Sequence, residues 1–517
     1  MKTSPPTCHP EYPDSNMDHS KESSAYQELT RALCVADPRL DHWKDDTKSS
    51  SARVVALHIQ PDHSVGQPTE ITEPTALRDT LTSPSNQNSS VYILEGLISE
   101  FVDVLGTHFD LHPSVFIDHE RLVALDGSAT GEAGGSPFLA SSAMHSRDHI
   151  TMKYHEPLIL SPVPEQFRNF CEASGRHIAV TRIMGAFSPI GLMRRKCSFW
   201  TRERNTGTGW DCLIVCDPPV KTVRTGYSAS EAVEIKTAPY SGGYVDFIPH
   251  KEQLKHRTGP PRSSMLENIC FYLQTYGYAF DLSDPLSART ILEKIIASHY
   301  TLTAKYLRET IELVQWSLSR QQNLSIFSNS TAEEQWSDIQ AWDRRVSEYK
   351  DDLQAIMLQL GILFETPNIR TMKSWKESTI DYQFLLQRFN SLHERIRDLN
   401  SAITGLASIT SSHQAYTEQK LALKASKQSL HEARRAKTLT LVGLVFIPLA
   451  YVASLFSMAE PYASGNERFW IYFAIALPLS GFMLTLYYLF SRGYSSSTET
   501  WSSRVLVKGL KPGAGRP

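Results

Sequence analysis

Six residues between Thr440 and Ser457 recur at spacings of three and four: Thr440, Gly443, Ile447, Ala450, Ser454 and Ser457. On an α-helix such spacings share one face. That face is small and partly polar, with Ile447 its bulky member, while Leu441, Leu444, Val445, Leu449, Val452 and Leu455 make the remaining surface apolar. A narrow pore lined by small side chains, constricted at Ile447, produces this pattern. Tight helix packing through small residues produces it equally. Shortly after come Glu460 and Glu467, two carboxylates suited to concentrating cations electrostatically.

Other candidate chemistry is weaker. Cys212 and Cys216 have a spacing that invites zinc, but they sit in an apolar run, Asp211 to Cys216, with no second ligand pair nearby. A buried strand with two inert thiols is the better reading. The Gly127 to Gly135 stretch lacks both the GKS/T ending and the G-x-G-x-x-G spacing of a phosphate loop, so it reads as a surface loop. His393-Glu394 and the His250 to His256 segment miss the H-E-x-x-H spacing of zinc proteases. No motif supports an enzyme, no covalently bound cofactor is expected, and no resident metal ligand set is legible.

The elements that would hold the small face are plain in the hydropathy. Residues 438–458 and 469–490 contain no charged side chain. About 21 residues at about 1.5 Å each give about 32 Å of helix, which matches a hydrocarbon core of about 30 Å. Two membrane-spanning helices are expected, joined by an outer loop at 459–468. Lys427, Arg434, Arg435 and Lys437 precede the first, and Arg492, Arg504, Lys508, Lys511 and Arg516 follow the second, whereas the joining loop has one cation, Arg468. By the positive-inside rule both termini are cytosolic, and the plasma membrane is the expected location.

The rest of the 517 residues reads as cytosolic. Lys plus Arg total 52 against 55 for Asp plus Glu, a formal net charge of -3, which excludes a general nucleic-acid binder because phosphate neutralisation needs a basic face. Seven scattered cysteines suit a reducing compartment. Residues 1–50, punctuated by Pro5, Pro6, Pro10 and Pro13, read as a disordered tail. Residues 51–283 alternate strand and helix patterns and read as an α/β or α+β domain, with strands expected at Arg53 to Gln60, Val91 to Leu94, His177 to Ile183 and Asp211 to Cys216. Residues 284–437 read as a helical stalk. Within it Leu385, Phe389, Leu392, Ile396, Leu399, Ile403 and Leu406 alternate steps of four and three, the seam of a coiled-coil-like bundle or of intramolecular helix packing. Absence of proline up to Pro448 allows one helix to run on into the membrane and to couple cytosolic packing to the first span. Residues 491–517 form a basic tail.

This order of elements resembles the CorA superfamily of divalent-cation channels, especially its divergent fungal members. Phe446-Ile447-Pro448-Leu449 followed by Ala450 to Phe456 is similar to the family's first membrane helix, and Ser457-Met458-Ala459 stands where the family has Gly-Met-Asn. Weaker similarity at Leu105 to Pro113, Asp217-Pro218-Pro219 and Ala297 to Tyr300 extends it over residues 51 to 490. The resemblance implies a homopentamer in which five copies of the first membrane helix line one pore and five copies of the second surround them. It also implies a funnel-shaped cytosolic assembly, and it favours the pore reading of the small face. Magnesium keeps its inner waters, and a ring of amides hydrogen-bonds that shell. Ala459 cannot do so, and Ser457 lacks glycine's backbone freedom. The expectation is therefore a CorA-like channel for divalent cations, magnesium or a related ion, with a non-conducting scaffold or regulatory subunit as the alternative.

Overall fold

A computed structural model describes residues 52–82, 89–120, 148–162, 169–181, 190–204, 209–225, 232–255, 258–320, 329–368, 370, 374–457 and 469–508. The tail expected at 1–50 and the Gly127 to Gly135 loop lie outside them. The chain divides into two units, Met1–Ala407 and Ser408–Pro517.

The first unit opens with strands β1 (Arg53–Ile59) and β2 (Thr69–Ile71), helix α1 (Pro74–Thr82) and strand β3 (Ser89–Glu95). Helices α2 (Ser99–Phe109) and α3 (Ser114–Glu120) follow, then strands β4 (His149–Ser161), β5 (Asn169–Cys171), β6 (His177–Thr181) and β7 (Ile190–Glu203). Strands β8 (Trp210–Cys216), β9 (Thr222–Thr225), β10 (Val233–Glu234) and β11 (Lys236–Pro239) complete the sheet. Helices α4 (His250–Gln253), α5 (Met265–Tyr276), α6 (Leu286–Arg320), α7 (Asn329–Gln359) and α8 (Thr379–Ser457) come after it.

The described strands form one sheet ordered β10-β9-β5-β6-β7-β8-β3-β1-β2, with β4 added along β7 and β11 added along β4. Only the β3–β8 pairing is parallel among them. β7 is long enough to pair with β4 on one edge and to divide the other edge between β6 and β8. Gly191 sits at that junction, where an added Cβ would lie 2.6 Å from Leu160 Cδ1 of β4.

Strand alternation explains why the sheet carries helices on both faces. In β8, Trp210, Cys212, Ile214 and Cys216 enter one core while Leu213 and Val215 enter another. β1 and β3 split the same way, Val55, Leu57, Val91 and Ile93 against Val54, Ala56, Tyr92 and Leu94. A strand buried on both faces reads as a continuous apolar run, which is why 211–216 looked like one. Cys212 and Cys216 are free, fully buried thiols whose ionisation burial pushes well up, the inert state expected of them. α1, α2 and α3 cover the second core; α5, α6, α7 and the start of α8 cover the first. α5 begins on an N-cap, with Ser264 Oγ accepting from the Glu267 amide at 3.2 Å.

The seam of α8 belongs to that first core. Leu385, Phe389, Leu392, Ile396, Leu399 and Ile403 are all buried, and the Phe389 ring meets Tyr300 of α6 and Tyr349 of α7, each at 6.0 Å between centroids. The four-three spacing is thus spent on intramolecular packing. Asp217, just past β8, anchors a buried charge network. It accepts from Arg176 Nε at 3.0 Å and from the Lys196 amide at 2.6 Å, and it pairs with His119 at 3.3 Å. Burial alone would raise this carboxyl, but Arg176 and His119 hold it far below the usual carboxylate range.

Candidate pore element

The second unit begins at Ser408 and contains the C-terminal part of α8 and helix α9 (Trp470–Lys508). Both are long and apolar enough to cross a membrane, α8 in its last part and α9 over Trp470–Leu489. Backbone helix in α9 continues past Phe490, where a membrane span was expected to end, as far as Lys508. Each apolar stretch contains one proline, Pro448 and Pro478. Membrane helices tolerate such breaks because neighbouring groups re-satisfy the freed carbonyls.

One face of the first span packs on α9. Pro448 and Val452 are buried, Leu444, Val445, Leu449 and Phe456 are half-buried, and on α9 the matching positions Ala476 and Ser480 are buried. Tyr472 Oη donates to the Leu449 carbonyl at 3.4 Å, and its ring meets Phe456 edge-on at 6.2 Å. Tyr472 was not singled out in the sequence. Its signal was the aromatic group Phe469, Trp470, Tyr472 and Phe473 at the start of the span, since aromatic residues concentrate where a helix leaves the hydrocarbon.

Thr440, Ile447, Ala450, Ser454 and Ser457 lie on a different face and are exposed, Ile447 at 72%. Gly443, on the same face as these, is half-buried, and an added Cβ there would meet only Ile447 Cδ1 at 3.9 Å. No close helix approach in this unit therefore depends on that glycine. Within the chain, the contact between α8 and α9 sets bulky residues of α8 against Ala476 and Ser480 of α9 and leaves the small stripe open. The Thr440 hydroxyl donates to the Ala436 carbonyl at 2.8 Å, which leaves its oxygen lone pairs as acceptors. Leu441 and Leu455, on the remaining surface, are exposed apolar side chains of the kind a lipid phase would cover. Met458, Ala459, Glu460 and Glu467 lie outside the described residues, so of the signature triplet only Ser457 is placed.

Upstream of the span, Lys420, Lys424, Lys427, Arg434, Arg435 and Lys437 are all exposed on α8. A run of cations followed by an uncharged span is the arrangement that holds a helix end at an anionic membrane surface.

Residues 365–492 match the family model described as CorA-like Mg2+ transporter protein. Among solved structures the chain is similar to the complete structure of CorA magnesium transporter from Methanocaldococcus jannaschii. That likeness has 10% identity and a TM-score of 0.29 over 84% of this chain and 96% of that one, too loose to transfer any geometry. No curated protein matches the chain.

Proposed function

We infer that this chain, CorA-like over its C-terminal region, is an integral membrane subunit of an oligomeric pore that passes divalent cations down their electrochemical gradient. The observation that carries the reading is the open small-residue face of the first span. A hairpin of two helices cannot enclose water by itself, so a polar stripe left unused by the hairpin contact has to meet other copies or a shared aqueous path. Family similarity over 365–492 supports the second, with Thr440, Gly443, Ile447, Ala450, Ser454 and Ser457 lining the path and Ile447 as its neck. Glu460 and Glu467 then gather cations at the outer mouth, and no bond is made or broken in transport.

The ion is a divalent cation, magnesium or a related one. Ser457-Met458-Ala459 lacks the amide with which the family's Gly-Met-Asn would hydrogen-bond a hydrated magnesium ion, so discrimination among hydrated divalent ions is expected to be weaker. That same substitution favours a second reading, a non-conducting scaffold that keeps the architecture. Flux of magnesium, zinc, nickel and cobalt into liposomes holding the purified protein separates them. Uptake of any of these above protein-free liposomes supports the pore, and absence of flux for all four, with the oligomer intact, leaves the scaffold.

A further inference from the structure

We propose that the cytosolic unit carries a resident transition-metal site between β4 and α7, formed by the imidazole of His155 and the carboxylates of Glu348 and Asp352. The site lies within a single chain and is independent of whether the membrane helices conduct. One ring nitrogen and one oxygen from each carboxylate lie within 4.8 Å of one another. Glu348 and Asp352 are four residues apart on α7 and so share one helix face, which packs on the strand that presents His155.

His155 supplies an independent observation. It is 3% exposed, and among the described residues neither ring nitrogen has a hydrogen-bond partner. Leaving a buried polar group unsatisfied costs about 1–3 kcal/mol, so an imidazole with two bare nitrogens beside two carboxylates is an expensive arrangement unless something is shared between them. Its position is otherwise well determined: the ring meets Tyr349 at a tilt, 4.3 Å between centroids, and its carbonyl accepts from Thr303 Oγ1 at 3.1 Å. Burial, with Arg194, Lys153 and Arg345 adding to it, keeps this histidine unprotonated, which is the state a metal requires.

Typical zinc distances of about 2.0–2.2 Å put neighbouring donors about 3–4 Å apart, so a small side-chain adjustment closes the cluster on an ion. One imidazole with two carboxylates suits zinc, cobalt or nickel; magnesium prefers an all-oxygen octahedron. Two cations already face the carboxylates. Arg194 reaches both oxygens of Glu348, at 2.7 and 2.8 Å, and can orient it while an ionised carboxylate keeps further lone pairs. Lys153 pairs with Asp352 at 3.3 Å, but its side chain is 39% exposed on a flexible stem, so it can give way to an ion by turning to solvent.

Cobalt titration of the metal-free full-length protein in detergent, followed by visible absorption, tests this. One saturable cobalt per chain with the intense absorption of a low-coordinate, nitrogen-containing site is expected, unmoved by a hundredfold excess of magnesium and unchanged in Ile447→Ala. His155→Phe, which keeps an aromatic ring against Tyr349, should abolish the absorption, Asp352→Asn should weaken binding at least tenfold, and Lys153→Met should tighten it severalfold. No saturable cobalt binding by the wild type, displacement by magnesium, or full absorption in His155→Phe would overturn the proposal. If His155→Phe fails to fold, Lys153→Met decides, since unchanged affinity there removes the competition the site requires.

Discussion

Ile447 is a bulky side chain on an otherwise small face, and it stands 72% exposed in the single chain. If it is the neck of a shared path, Ile447→Ala should raise divalent flux in liposomes, because a wider apolar constriction wets more readily. Unchanged flux for every ion, with the oligomer preserved, would return the stripe to simple helix packing. Restoring the family triplet by Ser457→Gly with Ala459→Asn should raise magnesium flux relative to cobalt, measured in the same liposomes. A different residue adds to acid sensitivity in the first unit. His299 is packed between the rings of Tyr154 and Tyr244, at 4.9 and 4.8 Å, and burial pushes it down to about 4 from an ordinary 6.5. Unfolded chain therefore binds the proton first as pH falls. Stability from the neutral ring is complete above 6.5 and is lost as pH drops toward 4, by about 3 kcal/mol at most. Buried Glu293 and Asp352 have raised carboxyl values and act in the opposite sense, so the comparison must be with His299→Phe. That variant should flatten the decline of melting temperature between pH 6.5 and 4.

At the scale of elements, α8 changes character along its length. Phe389 is fully buried against Tyr300 and Tyr349, whereas Phe384, five residues earlier, is 52% exposed. Phe389→Ala should cost about 3–5 kcal/mol and Phe384→Ala less than about 0.5 kcal/mol, read by denaturant unfolding of the first unit's tryptophan signal. Equal losses would mean that the seam is not the buried face. Downstream of Thr410 the helix is exposed through to Val442, then half-buried where it meets α9. The fading of the apolar seam in the sequence marked the first change, because a helix with no partner in its own chain needs no stripe.

For the whole molecule, the proposed pore requires several copies and a defined orientation. Native mass spectrometry in lipid-like detergent should give a pentamer; a monomer would remove the shared pore. By the positive-inside rule, lysine and arginine asymmetry around the spans leads us to expect the 459–468 loop outside. A cysteine introduced at Ser464 should accordingly react with an impermeant thiol reagent on intact cells, and one near the C-terminus only after permeabilisation. The reverse pattern would invert the hairpin.

Sequence alone determined the features that depend on local composition. Strands at 53–59, 89–95, 177–181 and 210–216 and the two apolar spans were legible because alternation and uninterrupted hydrophobicity report burial without knowledge of neighbours. The small stripe of the first span was legible for the same reason, as a period. Tertiary structure decided which of these patterns the chain itself uses. Two uses of the stripe are indistinguishable as spacing, and only the placement of Val452, Phe456 and Tyr472 showed that the contact with α9 leaves it open. Likewise the α8 seam could serve another chain or its own, and Phe389 between Tyr300 and Tyr349 settles it as its own. His155, Glu348 and Asp352 carry no sequence motif, since about two hundred residues separate the histidine from the carboxylates. Packing of α7 on β4 brings them together, and proximity of that kind is a property of the fold that no local pattern encodes.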